Sequence, residues 1–234
     1  MKLLIGCFFF LITSQLFGQQ MSLEQWNKEA ETNIRLLPKY GLVPKTSEQK
    51  AADNNLIADM TGRGLTRRQA SNQFIEVGFQ YLYKDIKIAM YRFNQAYILD
   101  STNVDIYWGY GGVYAALGDL IRAKEQYQIG LSKEENNTNI LTDLATCYLS
   151  EFYELNESQP ELAKIKLDTA VTLFTKSYQF DKTNQNTLFK LSACYYNKQD
   201  CENAQRYYKE CLRLGGAPIT EEYKKAIVKA CGKK

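Results

Sequence analysis

A spacing of aromatic and small residues recurs along the central part of the chain and constrains its fold more than any other feature. An aromatic residue or leucine is followed three and four positions later by an apolar residue and a small one. A tyrosine, a turn, an alanine and usually a second aromatic residue come next. Four copies begin at Phe74, Tyr107, Leu141 and Leu188. Because positions three, four and seven apart share one face of an α-helix, each copy predicts two helices packed on each other.

This spacing resembles that of the tetratricopeptide repeat, a helix–turn–helix unit of about 34 residues. The resemblance implies an all-α, right-handed solenoid of antiparallel helix pairs, with four units over residues 67–216 and first helices that line a concave groove. The segments LLPKYG and KTSEQKAAD, with the first two units, are similar to exported bacterial proteins of this family that have no assigned activity. That similarity implies an extracytoplasmic bacterial protein and supplies no chemistry.

The stretch YWGYGGVYAALGD, residues 107–119, is rich in glycine and invites comparison with a phosphate-binding loop. Such a loop would follow a β-strand and end in Lys-Ser/Thr, or would belong to a Rossmann unit, and neither pattern is present. We therefore predict a helix in which Gly111 permits close approach of its partner helix and Gly118 makes the turn. Gly109 and Gly112 have no role in the repeat, and each costs ~1 kcal/mol relative to alanine. We expect Gly112 to open space on the groove face.

The region 19–66 precedes the repeats and is predicted to be helical. A helix is expected from Leu23 to Leu37, followed by a turn, and a second helix to about Met60. Threonine and glutamine three positions apart form a capping-box pattern before this second helix and again before the first unit, at Thr46 and Thr66. We expect the helix pair to cover the amino-terminal end of the array.

The third unit carries an insertion at about residues 150–168. Nine positions separate Tyr114 from Ala123, whereas 22 separate the equivalent Tyr148 and Ala170. Pro160 is placed to open a helix at its first turn. We predict a longer hairpin in which four apolar side chains pair across the two helices, namely Phe152, Leu155, Leu162 and Ile165. Its role is open between a tolerated surface insertion and a functional one.

The amino terminus, residues 1–18, has the pattern of a secretory signal peptide: Lys2, a short apolar run and small or polar residues near a cleavage point after Gly18. The run is too short to span a bilayer, which takes ~20 apolar residues. We expect an exported protein, periplasmic or secreted, with no membrane span in the mature protein. Cys7 stands in a segment that resembles a lipoprotein box, but the apolar run follows it, so we do not expect lipid attachment.

The residue types argue against most catalytic and metal chemistry. The sequence contains no histidine, and its 29 basic and 26 acidic residues give a formal charge of +3. That balance provides no basic field for nucleic acid. The cysteines lack CxxC spacing, and Cys147, Cys194 and Cys211 occupy positions where small residues pack. We therefore predict a non-enzymatic protein with no metal and no cofactor.

Residues 217–234 are predicted to form a capping helix that covers the last hydrophobic surface of the array. Cys231 ends this helix, and Cys201 opens the second helix of the fourth unit. If the capping helix runs antiparallel to that helix, the two cysteines lie at the same end of the stack. Because export permits disulfides, we expect Cys201 and Cys231 to form one.

The function is predicted from the shape of the groove. The first-helix residues expected to face it are Asn72, Phe79, Tyr83, Asp105, Trp108, Asn139, Thr142, Asn186, Phe189 and Tyr196. No lysine is among them, which argues against a clamp for a peptide carboxylate. Aromatic and amide side chains suit an extended peptide or a partner helix, with rings as anchors. We expect Trp108, Phe189 and Tyr196 to carry this binding, unless they pack against neighbouring units.

The sequence leaves a second function open. A glycan-binding protein or envelope enzyme could use the aromatic groove, including Trp108, as a stacking platform for sugar rings. A pair of carboxylates facing the groove would favour this alternative, and only Asp105 is expected there.

Overall fold

The computed structural model describes residues 21–232, and this part of the protein is helical without strands. The predictions for the signal peptide, residues 1–18, and for Cys7 lie outside the described residues. No helix between residues 21 and 232 has the length and apolar character needed to cross a membrane. The α-helices are, in order along the sequence, α1 (Leu23–Ala30), α2 (Ser47–Gly62), α3 (Arg67–Tyr81), α4 (Ile86–Leu99), α5 (Asp105–Ala116), α6 (Leu120–Lys133), α7 (Thr138–Leu155), α8 (Pro160–Phe180), α9 (Gln185–Asn197), α10 (Cys201–Arg213) and α11 (Glu221–Cys231).

The middle of the protein is a row of consecutive helix pairs. Helix α3 packs on α4, α5 on α6, α7 on α8 and α9 on α10, and short turns make the two helices of each pair antiparallel. The first helix of each pair also contacts the first helix of the next, so α3, α5, α7 and α9 lie side by side. The prediction of an all-α protein built from packed helix pairs is therefore confirmed.

The glycine-rich stretch forms helix α5 and the turn that follows it. Gly118 has a φ of +78°, and the side chain of Asp119 accepts a hydrogen bond from the backbone N–H of Arg122 at 3.0 Å, which caps α6. Gly111 lies against the buried ring of Tyr127 on α6, where a Cβ atom would stand 2.5 Å from Cδ1. The absent side chain lets the two helices meet, as predicted.

Gly109 has a role that the repeat pattern did not supply. The ring of Phe93, on α4, is fully buried between Gly78 of α3 and Gly109 of α5. A Cβ atom at either glycine would come within 2.8 Å of ring carbons of Phe93. The two glycines therefore let one ring join the first pair to the second.

The insertion in the third unit lengthens both helices of that pair. Pro160 opens α8, as predicted, and Phe152 is buried in a cluster with Ala163 and Leu167. Leu162 and Ile165 do not pair across the hairpin but are exposed on the outer side of α8, so that part of the prediction is wrong. The buried side of α8 carries Ala163, Leu167 and Ala170, which are four and seven positions apart, and positions 162 and 165 lie off that side.

The lengthened hairpin is tied to its neighbours by polar contacts. Glu151 of α7 forms ion pairs with Lys124 of α6 and Lys166 of α8, and this set links three successive helices. Burial alone would raise the pKa of Glu151, but the hydrogen bonds from both lysines outweigh it and hold the pKa below its ordinary value. At the end of α9, the amide of Asn197 donates a hydrogen bond of 2.9 Å to the hydroxyl of Tyr153.

The region before the repeats does not form the expected helix pair. Both capping boxes are present, and α2 covers the end of the array through Met60, which packs with Ala70 and Leu99. Helix α1 ends at Ala30 and instead makes polar contacts with α4 and α6, the second helices of the first two pairs. Its Trp26 is fully buried, and its Glu29 pairs with Lys87 of α4 at 2.6 Å.

A strap of residues 33–45 joins α1 to α2, and its path across α4 explains why these two helices do not pair. Two 3₁₀ turns, Ile34–Leu36 and Pro38–Leu42, run across α4. Residues 39–42 all have a left-handed φ between +56° and +64°, a conformation that costs ~1–2 kcal/mol for each non-glycine residue. Buried Asn94 on α4 holds the turn, because its amide donates to two strap carbonyls and its oxygen accepts from the N–H of Lys39 at 2.8 Å.

Helix α11 covers the far end of the array. Thr220 caps it, Ile227 is buried, and the hydroxyls of Tyr223 and Ser192 of α9 share a hydrogen bond of 2.7 Å. Cys201 and Cys231 are joined by a disulfide in the structure, which fastens the end of α11 to the start of α10.

Candidate functional site

The side-by-side first helices α3, α5, α7 and α9 form one face of the array, which we call the groove. Two cavities open on it. The first, of about 400 Å³, lies between α5 and α7 beside the end of α3. The second, of about 520 Å³, lies between α7, α9 and the capping helix α11. Helix α7 is therefore the ridge between the two cavities.

Aromatic side chains pack at and beside the first cavity, with Phe79 of α3 in its lining. The ring of Phe79 lies 4.0 Å from that of Trp108, centroid to centroid, and 5.1 Å from that of Phe93 beneath it. Tyr83, in the turn after α3, lines the cavity with 77% of its surface exposed. Gly112 also lines it, and a Cβ atom there would make ordinary contacts with Phe79 and Leu82 at 3.5 and 3.6 Å. The missing side chain thus leaves space on the groove side, as expected for Gly112.

Asp143 on α7 is a carboxylate that lines the first cavity. Its Oδ2 accepts a hydrogen bond of 2.7 Å from Nε1 of Trp108. Burial raises the pKa of Asp143, and the Trp108 hydrogen bond and the charge of Lys190 partly oppose this rise. The neighbouring thiol of Cys147 has its pKa raised to about 12 by burial and by the charge of Asp143. The thiol is therefore protonated near neutral pH.

The second cavity is walled by aromatic rings. Phe189 and Tyr196 of α9 pack edge to face against Tyr223 of α11, at centroid distances of 5.1 and 6.0 Å. Burial raises the pKa of Tyr223 to about 12. Tyr153, at the end of α7, lines the same cavity and is more than half exposed. Because Tyr223 belongs to α11, the capping helix is part of the site as well as of the fold.

A lysine also lies in the groove, contrary to the expectation that the groove has none. Lys190 on α9 lines the second cavity. Burial lowers the pKa of its ammonium group, and the charge of Asp143 partly opposes this effect. Lys190 makes no ion pair or side-chain hydrogen bond with any residue from 21 to 232.

Three of the predicted groove residues instead hold neighbouring helices together. Asn72 accepts a hydrogen bond of 2.8 Å from the amide of Asn103, and Asp105 accepts one of 2.9 Å from the amide of Asn137. Thr142 is 4% exposed, so its predicted place on the open groove is wrong. Its hydroxyl bonds those of Ser177 and Thr187 at 2.9 and 2.7 Å. These contacts fix the spacing of the first helices and so the width of the cavities.

The remaining predicted residues divide by position. Phe79 and Tyr83 line the first cavity, and Phe189 and Tyr196 line the second. Trp108 connects Phe79 to Asp143 and is partly buried. Asn139 and Asn186 lie in the first turns of α7 and α9, where Asn186 is exposed.

Sequence reasoning did not include Asp143, Lys190, Tyr153 and Tyr223 in the site. Asp143 lies four positions after Asn139, and Lys190 lies four positions after Asn186, so each charge shares a helix face with a predicted groove residue. That spacing was the available signal for them.

The cysteines other than the disulfide pair are buried thiols on or behind this face. Cys147, Cys194 and Cys211 are free and buried, and burial raises the pKa of Cys194 to about 12. Within residues 21–232 no three Cys, Asp or Glu side chains are grouped in a way that could hold a metal ion.

No protein-family model matches the sequence, and no curated protein matches it.

Proposed function

We propose that this protein is a tetratricopeptide solenoid of right-handed helix pairs that serves as a non-catalytic interaction scaffold. In this proposal it works in the bacterial cell envelope, periplasmic or secreted, and its groove binds a peptide or a partner helix. The repeat spacing supports the family, and the row α3, α5, α7, α9 supports a continuous binding face.

The single observation that carries the proposal is the exposed ring of Tyr83 at the edge of the first cavity. It packs on no other aromatic ring among residues 21–232, and 77% of its surface is open. Below it are Phe79, Leu82 and the space that Gly112 leaves. A large ring beside an unfilled apolar hollow is the arrangement of an interface anchor, and such anchors contribute ~2 kcal/mol or more to binding.

The spacing of the cavities suits a short stretch of extended polypeptide. Packed helices lie about 8–10 Å apart, so the cavities on the two sides of α7 are separated by about one such distance. An extended polypeptide in the polyproline II conformation advances about 3.1 Å per residue with three residues per turn, so side chains three residues apart point to the same side and lie about 9 Å apart. Two apolar side chains about three residues apart would therefore reach both cavities.

The disulfide supports the proposed location outside the cytoplasm. Disulfides persist in oxidising compartments and are rare where thiols are kept reduced. The Cys201–Cys231 bond fastens α11, whose Tyr223 lines the second cavity. The proposed compartment and the proposed site thus depend on the same helix.

Paired variants test the proposed function. Tyr83→Ala and Tyr196→Ala remove rings from the first and second cavity, and Ile121→Ala is the control, since Ile121 is 71% exposed on α6 and lines neither cavity. Each purified protein is used to capture partners from an extract of its native envelope, and captured proteins are quantified by mass spectrometry. We expect the captured amount of one partner to fall at least tenfold with both tyrosine variants and to be unchanged with Ile121→Ala. Equal capture by all three variants would place binding on another surface.

Trp108→Ala needs a different readout. Trp108 stacks on Phe79 and holds Asp143, so its loss should lower thermal stability as well as partner affinity. Helical content should remain near that of the unaltered protein, and affinity per folded molecule separates the two effects.

A further inference from the structure

The groove carries two opposite charges that do not neutralise each other by direct contact. Asp143 lines the first cavity and Lys190 lines the second. Within residues 21–232, Lys190 has no carboxylate within ion-pair distance. Trp108 occupies Oδ2 of Asp143, and Oδ1 makes no hydrogen bond with any other described residue. The groove thus presents a free hydrogen-bond acceptor, Oδ1 of Asp143, in the first cavity and a free donor, Nζ of Lys190, in the second.

Each of these charges is held at a cost. Burial raises the pKa of Asp143 and lowers the pKa of Lys190, and each group's charge offsets part of the shift in the other. Both side chains are half-buried, and neither free atom is sealed from solvent. A ligand that bonds them would therefore replace water at positions where partial burial already weakens the solvation of the charges.

Opposite charges on one groove limit what that ligand can be. An anion bound to Lys190 would also face the carboxylate of Asp143, and a cation bound to Asp143 would face the ammonium of Lys190. Glu222, the other charged residue lining the second cavity, is exposed and so is screened by water. A neutral group with one donor and one acceptor satisfies both without adding a charge.

We propose that the groove binds the backbone of an extended, uncharged, apolar peptide segment across the α7 ridge. A backbone N–H of the peptide donates to Oδ1 of Asp143, and a backbone carbonyl oxygen accepts from Nζ of Lys190. The apolar side chains on either side enter the two cavities. This inference rests on the proposed function and adds the chemistry of the partner: recognition through backbone and apolar side chains, with charged residues rejected at the ridge.

Three acetylated peptide amides test the proposal against the natively produced protein by isothermal titration calorimetry. They contain Leu-Ala-Ala-Phe, Leu-Glu-Ala-Phe and Leu-Lys-Ala-Phe, which place two apolar side chains three residues apart. We expect the neutral peptide to bind at least tenfold more tightly than either charged one. Preference for the Glu peptide, preference for the Lys peptide, equal affinity for all three, or no binding would each overturn the inference.

Two variants of unchanged shape sharpen the test. Asp143→Asn keeps an acceptor for Trp108 but removes the negative charge that balances Lys190. The affinity of the Glu peptide should therefore rise about tenfold relative to that of the neutral peptide. Lys190→Met keeps the aliphatic stem but removes the positive charge that balances Asp143. The affinity of the Lys peptide should therefore rise by a similar factor relative to that of the neutral peptide. Circular-dichroism melting checks that both variants fold. Variants with unchanged charge preference would mean that the two residues do not face the ligand.

A backbone ester separates backbone recognition from simple filling of the cavities. Replacing the central Ala-Ala amide by an ester removes its N–H, which should weaken binding about tenfold to the unaltered protein. An unchanged affinity would contradict the bond to Asp143. Tyr83→Ala distinguishes the inference from the function on which it rests. If it weakens the neutral peptide while charge and ester changes have no effect, the inference fails and the proposed function stands. If it leaves the neutral peptide unaffected, the proposed function fails as well.

Discussion

Replacing each of three neighbouring glycines of α5 by alanine should change the stability of the protein in opposite directions. Gly111 faces the ring of Tyr127, Gly109 faces the ring of Phe93, and Gly112 faces the first cavity. All three lie inside the same helix, so the helix-propensity gain on changing glycine to alanine is the same for each, ~1 kcal/mol. Differences between the variants therefore report packing alone.

The distances give the expected sizes. At Gly111 a Cβ atom would stand 2.5 Å from Cδ1 of Tyr127, and at Gly109 it would stand 2.7 Å from Cγ of Phe93. Both rings are buried and cannot swing aside, so overpacking should cost ~1–3 kcal/mol or more. At Gly112 the nearest atoms would be 3.5 and 3.6 Å away, which is ordinary contact. Gly112→Ala should therefore be stabilised by ~1 kcal/mol, and the other two should be destabilised.

Thermal melting followed by circular dichroism measures the difference. For a protein of this size, ~1 kcal/mol corresponds to a shift of about 2–4 °C in Tm. Gly112→Ala should melt a few degrees higher than the unaltered protein, while Gly109→Ala and Gly111→Ala melt lower. A Tm for Gly112→Ala as low as that for Gly111→Ala would refute the assignment of Gly112 to open space on the groove.

Further predictions concern the cross-link and the buried charges. Cys201→Ser should lower the free energy of unfolding by ~3–4 kcal/mol on the loop-entropy estimate. Added reductant should lower the denaturant midpoint of the unaltered protein but not that of the variant. Equal midpoints for the unaltered protein with and without reductant would contradict a stabilising bond. Trp108→Phe keeps a ring but removes the N–H bound to Asp143, so the free energy of unfolding should fall by ~1.5–3 kcal/mol. The pKa of the Asp143 carboxyl, followed by NMR, should rise further, and an unchanged pKa would contradict this hydrogen bond. Because the folded pKa of Glu151 lies below its ordinary value of 4.5, its contribution to stability is present above that value and lost as pH falls through the lowered pKa. Glu151→Gln should therefore show a smaller loss of unfolding free energy than the unaltered protein between pH about 5 and about 3, measured by urea titration, and parallel curves would count against the ion pairs.

The helix pairs could be predicted from the sequence because the contacts that define them are local. Gly111 and Tyr127 meet within one pair, Gly118 and Asp119 form the turn between them, and the capping boxes span three residues each. Such contacts leave a repeating pattern in the residue types. The resemblance among copies strengthened each prediction.

The strap and the bottom of the groove depend on contacts between residues far apart in the sequence. The left-handed turn at residues 39–42 is held by Asn94, 55 positions from Lys39, and Gly41 is the one residue of the four that readily adopts a positive φ. Thr142 looked available for binding because its partner Thr187 lies 45 positions further on. Lys190 occupies a helix position where a lysine is usually solvated, and Tyr223 of α11, which lines the same cavity, is distant from it in the sequence.

Site-specific photo-crosslinking tests the central claim, that the groove is the surface on which a partner binds, most directly. A photo-reactive amino acid is placed at Tyr83, at Tyr153 beside the second cavity, or at Ile121 on α6, and the protein is irradiated in its native envelope. All three positions are exposed, so all can accept the probe without disturbing the core. We predict cross-linked partner at positions 83 and 153 and none at 121. Cross-links at 121 with none at 83 or 153 would contradict it.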